Sequence, residues 1–194
     1  VYVCASVAEE CMTKIADRAK KEWKVGDGLA EGVKMGPLHT EHQRAEVESQ
    51  VADAVRKGAK VLAGGTRPEG KEFERGWFME ATVLTDVAAD SRMLTEEVFG
   101  PALPIVIVND LDEAIAKSNA SVYGLGSSIW TKDLAKARRA IEQIQAGYTW
   151  VNDIQVAYDQ LPFGGSKQSG FGKEHGLEAL DGYLEKKSVV LSAG

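Results

Sequence analysis

Two hydrophobic periods alternate along this chain. Val1-Tyr2-Val3-Cys4-Ala5 reads as a buried strand. Behind it Val7, Cys11, Ile15 and Ala19 recur at helical spacing, with Ser6 as the predicted N-cap. A glycine-rich loop from Val25 to Leu38 leads to Thr40, placed to cap a helix whose stripe is Val47, Val51, Ala54 and Val55 and which Gly58 ends. Val61-Leu62-Ala63 is a short strand, residues 66–76 a polar surface excursion, and Trp77 to Val87 extended chain. The unbroken apolar run Leu103 to Val108 predicts a strand covered on both faces.

Beyond it the pattern predicts a helix over Leu111 to Asn119 and a strand from Gly126 to Trp130. The next helix, Asp133 to Ala146, carries Leu134, Ala137, Ile141 and Ile144 on one side and is followed by a strand at Tyr148 to Val151. After a glycine-rich loop come a short helix at Leu177 to Tyr183 and a last strand at Ser188 to Leu191. Strands alternating with helices predict an α/β fold: a three-layer domain with a largely parallel sheet flanked by helices, plus a separate C-terminal strand. The expected organisation is one domain over 1–183, with 184–194 an edge strand suited to pairing with another subunit.

Composition narrows the classes. Hydrophobic residues at 44% and charged residues at 27% are globular proportions, which excludes disordered and fibrous chains. Twenty-nine acids against 23 bases leave a net charge of −6, the wrong sign for a nucleic-acid or acidic-membrane footprint. No apolar run reaches the roughly 18 residues that a membrane helix needs. Two cysteines are too few for a disulfide scaffold and point to a reducing, cytoplasmic setting. The chain opens on a strand pattern with no Met, basic n-region or signal h-region, and the expectation is that an upstream half is absent.

Cys4 ends an apolar strand and Cys11 lies on an apolar stripe, so both read as small buried hydrophobes rather than activated thiolates. His39 and His42 flank a helix start without a third ligand of matching type, and His175 sits beside a helix beginning; no metal site is expected. Two segments are more informative. In Glu96-Glu97-Val98-Phe99-Gly100-Pro101, Gly-Pro fixes a turn. A carboxylate held there can accept hydrogen bonds from both hydroxyls of a ribose, with an aromatic two residues on to cover a flat ring. An exposed acidic helix end with a core Phe is the alternative. The loop Asn152 to Lys173 exceeds the ordinary connection length and carries Ile154, Val156, Leu161, Phe163 and Phe171, which fits either a pocket wall or a packed Ω-loop.

Six segments in register resemble the aldehyde dehydrogenase superfamily: Met35-Gly36-Pro37-Leu38; Gly76-Trp77-Phe78 with Thr82-Val83-Leu84; Glu96 to Pro101; Tyr123-Gly124-Leu125; Gly147 with Trp150-Val151-Asn152; and Pro162-Phe163-Gly164-Gly165 running to Ser169-Gly170. The resemblance implies the catalytic domain and terminal oligomerisation strand of an enzyme whose amino-terminal NAD(P) domain is not in these residues. Its partners would be a small aldehyde, its own N-terminal domain and further copies in a homodimer or homotetramer. It also implies covalent catalysis, in which a thiolate attacks the aldehyde, the adduct yields hydride to the nicotinamide, and the thioester is hydrolysed to the acid. Nucleophile and general base fall upstream of Val1, so no catalytic residue is expected here and the chain alone is expected to be inactive.

By motif, Glu97 would hold the nicotinamide ribose of NAD or NADP and Phe99 would pack near its nicotinamide end. Asn152, Asp153, Ile154, Ala157 and Phe163 would line the substrate tunnel. Asp153 to Leu161 holds two acids and no Lys or Arg, which predicts neutral or cationic aldehydes over carboxylate semialdehydes, since a second carboxylate needs a cationic partner. A CoA-acylating relative, or a catalytically silent domain that keeps the fold, would share these features.

Overall fold

The computed structural model describes residues 1–154 and 156–194, which fall into two compact units, Val1–Asp110 and Leu111–Gly194. Both are α/β, with parallel strand pairs flanked by helices.

In the first unit β1 (Tyr2–Cys4) leads through a 3₁₀ turn at Ala5–Val7 into α1 (Ala8–Lys21). Ser6 therefore lies inside that turn and caps nothing: the residue before α1 is Val7, without a side-chain cap. Glu9 and Glu10 in the first turn and Arg18, Lys20 and Lys21 in the last complement the helix dipole instead. The second helix starts where its pattern predicts, for Thr40 Oγ1 accepts the Gln43 N–H at 3.1 Å ahead of α2 (Glu41–Arg56). Gly58 follows at φ +101°, a left-handed conformation that side chains resist. Val47, Val51 and Ala54 are buried, each valine contributing about 1.5–3 kcal/mol, while Val55 faces solvent.

β2 (Lys60–Ala63) runs antiparallel to β3 (Thr82–Thr85), and β3 runs parallel to β4 (Ala102–Pro104). A short helix, α3 (Arg92–Thr95), precedes β4. The extended stretch expected from Trp77 to Val87 forms ladder only over β3, preceded by a lone bridge between Leu38 and Trp77. The apolar run 103–108 is not one strand. It pairs with β3 through β4, turns over at Ile105, and then pairs with β1 as β5 (Val106–Val108). Ile105 is fully buried, and its N–H still reaches Leu84 O at 2.8 Å. Two cores result: α2 and α3 against one side of this arrangement, α1 against Ala63, Val83 and Ile105 on the other.

The second unit holds α4 (Leu111–Asn119) and a βαβ unit of β6 (Gly126–Ile129), α5 (Leu134–Gln143) and β7 (Tyr148–Val151), the two strands pairing in parallel from Gly126–Tyr148 to Ile129–Val151. Asp133 caps α5 through bonds from the Ala135 and Lys136 N–H groups at 2.9 and 3.0 Å. The stripe predicted for α5 is only half right. Ala137 is buried and Ile144 half-buried, whereas Leu134 and Ile141 are exposed; Ala140, outside that stripe, is buried too. The helix expected at 177–183 is a 3₁₀ segment, Leu177–Tyr183. The strand expected at Ser188 to Leu191 is not formed: 184–194 pairs with no described strand, and Val189, Val190 and Leu191 are exposed. A strand exists only through a partner's hydrogen bonds. No helix among the described residues is long and apolar enough to cross a membrane.

Candidate functional site

The two acids of the Glu96–Pro101 turn have different fates. Glu96 is structural. Arg92 holds it at 2.8 Å and also pairs with Glu46 on α2, and this hydrogen-bonded guanidinium keeps the Glu96 carboxyl below its ordinary range. Glu97 is exposed, and its carboxylate has no hydrogen-bond or ion-pair partner among the described residues. Phe99 is 70% exposed, outside both cores, so the core-Phe alternative does not hold.

What fixes the turn is one face of α2. Gln43 Nε2 donates to Phe99 O at 2.7 Å, and Gln50 Nε2 donates to Glu97 O at 3.1 Å and lies 3.4 Å from Glu96 Oε2. Between them Val47 lies so close to Gly100 that a Cβ there would stand 2.6 Å from Val47 Cγ2. A turn farther on, Asp53 accepts the Arg92 N–H at 3.0 Å, a bond that depresses its pKa and caps α3. Positions 43, 47, 50 and 53 recur at helical spacing, so a single stripe shapes 91–100. Gln50 is only 2% exposed and its Oε1 has no partner among the described residues, an arrangement costing about 1–3 kcal/mol. Its orientation is nonetheless fixed, because both neighbours are acceptors and only the NH₂ end can face them.

In the second unit backbone packs against backbone. A Cβ on Gly147 would stand 1.8 Å from Gly164 O, and one on Gly124 2.6 Å from Gln145 O. Gly124 O accepts the N–H groups of Gly147 and Ser166 at 3.0 and 2.9 Å, and Gly124 N–H donates to Ser169 Oγ at 2.9 Å. The glycines of Tyr123-Gly124-Leu125, Gly147 and Gly164-Gly165 are therefore one close-packed joint. Phe163 pairs with Glu174 through two 2.7 Å backbone bonds, and Lys173 Nζ spans Gly164 O and Gly165 O at 3.1 and 3.2 Å.

Asn152, at φ +54°, turns the chain out of β7, its amide closing both bonds on the Thr131 backbone at 2.9 Å. Those two bonds fix the direction in which the loop leaves β7. Asp153 O accepts from Ser128 Oγ at 2.6 Å, and its Oδ1 takes the Ile154 N–H at 2.8 Å. Trp150 Nε1 donates to Val156 O at 2.8 Å, and the absence of a side chain at Gly126 leaves room for its ring. Tyr148 lies between the Trp150 and Phe163 rings, at 4.7 and 5.6 Å between centroids. Its buried hydroxyl has no partner among the described residues.

A cavity of about 440 Å³ opens here, lined by Leu125, Gly126, Ser127, Ser128, Trp150, Ile154, Ala157 and Phe163. The structure thus brings Ile154, Ala157 and Phe163 together on one wall; Asn152 and Asp153 are not among its lining residues. Glu97 and Phe99 share the α2-bound turn of the first unit. The sequence reading missed Trp150 as a wall, and it missed Gln43 and Gln50 altogether. Gln50 leaves a signal in hindsight, as a polar residue inside the stripe Val47, Val51, Ala54. His175 stands with Nδ1 3.2 Å from Asp159 Oδ1, and no group of three potential metal ligands occurs among the described residues. Cys4 and Cys11 are free and half-buried.

A sequence profile of the aldehyde dehydrogenase family matches residues 1–189. The betaine aldehyde dehydrogenase of Brucella anthropi is 37% identical over 194 residues, all of this chain and 40% of that protein, and the Bacillus subtilis enzyme is 37% identical over 184 residues. The chain spans about two-fifths of the length of these relatives. Among solved structures, Staphylococcus aureus betaine aldehyde dehydrogenase in complex with NAD+ superposes with a TM-score of 0.90 at 36% identity, covering 95% of this chain and 36% of that one. A 3,6-anhydro-L-galactose dehydrogenase bound to NADP gives 0.91 at 38% identity, covering 96% and 39%.

Proposed function

The chain belongs to the aldehyde dehydrogenase family of oxidoreductases, and from that premise we propose that it forms the aldehyde-binding part of an enzyme that oxidises an aldehyde to a carboxylic acid with NAD or NADP. One observation carries the proposal: an unpaired Glu97 carboxylate, beside an exposed Phe99, on a turn that α2 holds rigid. Two carboxylate oxygens match the paired hydroxyls of a ribose, and a carboxylate with no protein partner has both free. Phe99 offers an uncovered face to a flat ring. When bound, the nicotinamide supplies the hydride acceptor. The chain's own task is to hold the ribose through Glu97 and the aldehyde in the aromatic cavity. Neither cysteine suits the nucleophile's role, so this reading takes thiol and base from the rest of the relatives' length. The exposed apolar tail at 189–191 supports association of copies.

For substrate, the cavity is walled by Trp150, Phe163, Ile154, Ala157 and Leu125, with no Lys or Arg among its lining residues. Indole and phenyl faces attract a cation, whereas a carboxylate would find no partner on this wall. Relatives named for betaine aldehyde, a quaternary ammonium compound, and for a neutral sugar aldehyde agree with that chemistry. The test compares kcat/KM of the complete enzyme on betaine aldehyde, a neutral aldehyde and succinate semialdehyde. Preference for the first two is expected, and preference for the semialdehyde overturns the substrate reading. Glu97→Gln should weaken dinucleotide binding about 10-fold by calorimetry; unchanged binding overturns the assignment of Glu97.

A further inference from the structure

We propose that Gln50 is a positioning residue for the cofactor: it sets the Glu97 carboxylate for the nicotinamide ribose without touching the ligand. The inference rests on the reading of Glu97 above and goes one residue deeper.

Gln50 is buried on α2, an awkward place for an amide. A residue selected for packing alone would be apolar there, like its neighbours Val47, Val51 and Ala54. Instead its Nε2 spans the turn, reaching Glu97 O at 3.1 Å and Glu96 Oε2 at 3.4 Å, while its Oε1 is left without a partner among the described residues. The amide thus serves through its donor end alone, and both recipients belong to the acid pair. Glu96 is held from its other side by Arg92. One acid is locked, and the carbonyl of the next is pinned to the same donor. The peptide plane after Glu97 then has no freedom to rotate, and the direction of the Glu97 side chain follows from it. Gln43 pins the far end at Phe99 O, so the segment is fixed at two points one helix face apart.

Removing this donor should loosen the end of the site that meets the nicotinamide ribose and leave adenosine binding alone. The experiment uses the complete enzyme and calorimetric titration with NAD+ and with ADP, which lacks the nicotinamide half. In Gln50→Met, NAD+ binding should weaken about 5-fold to 10-fold, the equivalent of one net hydrogen bond, with ADP binding unchanged. Val51→Ala, in the same core but off the turn, is the control for general destabilisation. It should lower Tm without altering the ratio of NAD+ to ADP affinity. An unchanged ratio in Gln50→Met overturns the inference, as does an equal change in Val51→Ala. Glu97→Gln separates the two levels. If it weakens NAD+ binding while Gln50→Met does not, only the role of Gln50 falls. If Glu97→Gln has no effect, the reading of the turn falls and the role of Gln50 with it.

Discussion

Residues 91–100 take their shape from side chains: two glutamines, a valine and an aspartate on α2 reach out and hold the turn at its carbonyls and N–H groups. Residues 162–176 take theirs from missing side chains, with Gly124, Gly147, Gly164 and Gly165 letting main chain lie directly on main chain. The first device is adjustable, since each clamp is a separate group that can be altered with graded effect. The second tolerates nothing larger than hydrogen. It carries Phe163, whose ring is part of the cavity wall.

The sharpest break of this contrast is Gly147→Ala. Its Cβ would overlap the Gly164 carbonyl, and because the obstacle is backbone no rotamer relieves it. A loss of about 3 kcal/mol or more, or failure to fold, is expected in thermal unfolding. A Tm within a degree or two of wild type would show the joint to be soft.

Arg92→Met comes next and reports on the clamped turn. Glu96 titrates below its ordinary value of 4.5 chiefly through the Arg92 guanidinium, so its stabilisation is present above that value and is lost as pH falls through the depressed one. Arg92→Met should lower Tm at neutral pH, and the deficit should shrink as the medium is acidified below about 4. A deficit independent of pH would mean that Arg92 acts by packing.

The smallest effect is expected for Tyr148→Phe. Removing a buried hydroxyl without a partner among the described residues, while keeping the ring between Trp150 and Phe163, should leave stability unchanged or raise it by about 1 kcal/mol. A clear loss would reveal a partner for the hydroxyl.

The same contrast explains what the sequence discloses. Thr40, Gly58 and the strand Tyr148–Val151 stand where the local pattern puts them, whereas Ser6 falls inside a 3₁₀ turn and Asp133, expected as the first helical residue, is the cap before it. The run 103–108 is apolar throughout, and nothing within it says that its two halves serve different neighbours. On α5 the short side chains of Ala137 and Ala140 mark the close approach, while Leu134 and Ile141, which dominate any hydrophobic pattern, point outward. The turn at Glu96 is visible from its Gly-Pro, and so are its two acids. Arg92 stands at local i,i+4 spacing from Glu96, but the Gln50 amide that fixes the turn lies 46 residues from the nearer acid. Long-range partnership of that kind has no local signature.

The exit of the clamped turn is already part of the sheet: Pro101 O receives the Thr82 N–H at 2.8 Å, one residue before β4 begins. Only Val98, Phe99 and Gly100 separate Glu97 from that ladder bond, too short a tether to wander. Such a segment surrenders its conformational entropy once, when the chain folds, and a ligand arriving later finds nothing left to freeze. Occupancy should accordingly leave the amide-exchange protection of this turn nearly unaltered, in the manner of a socket rather than a closing hand.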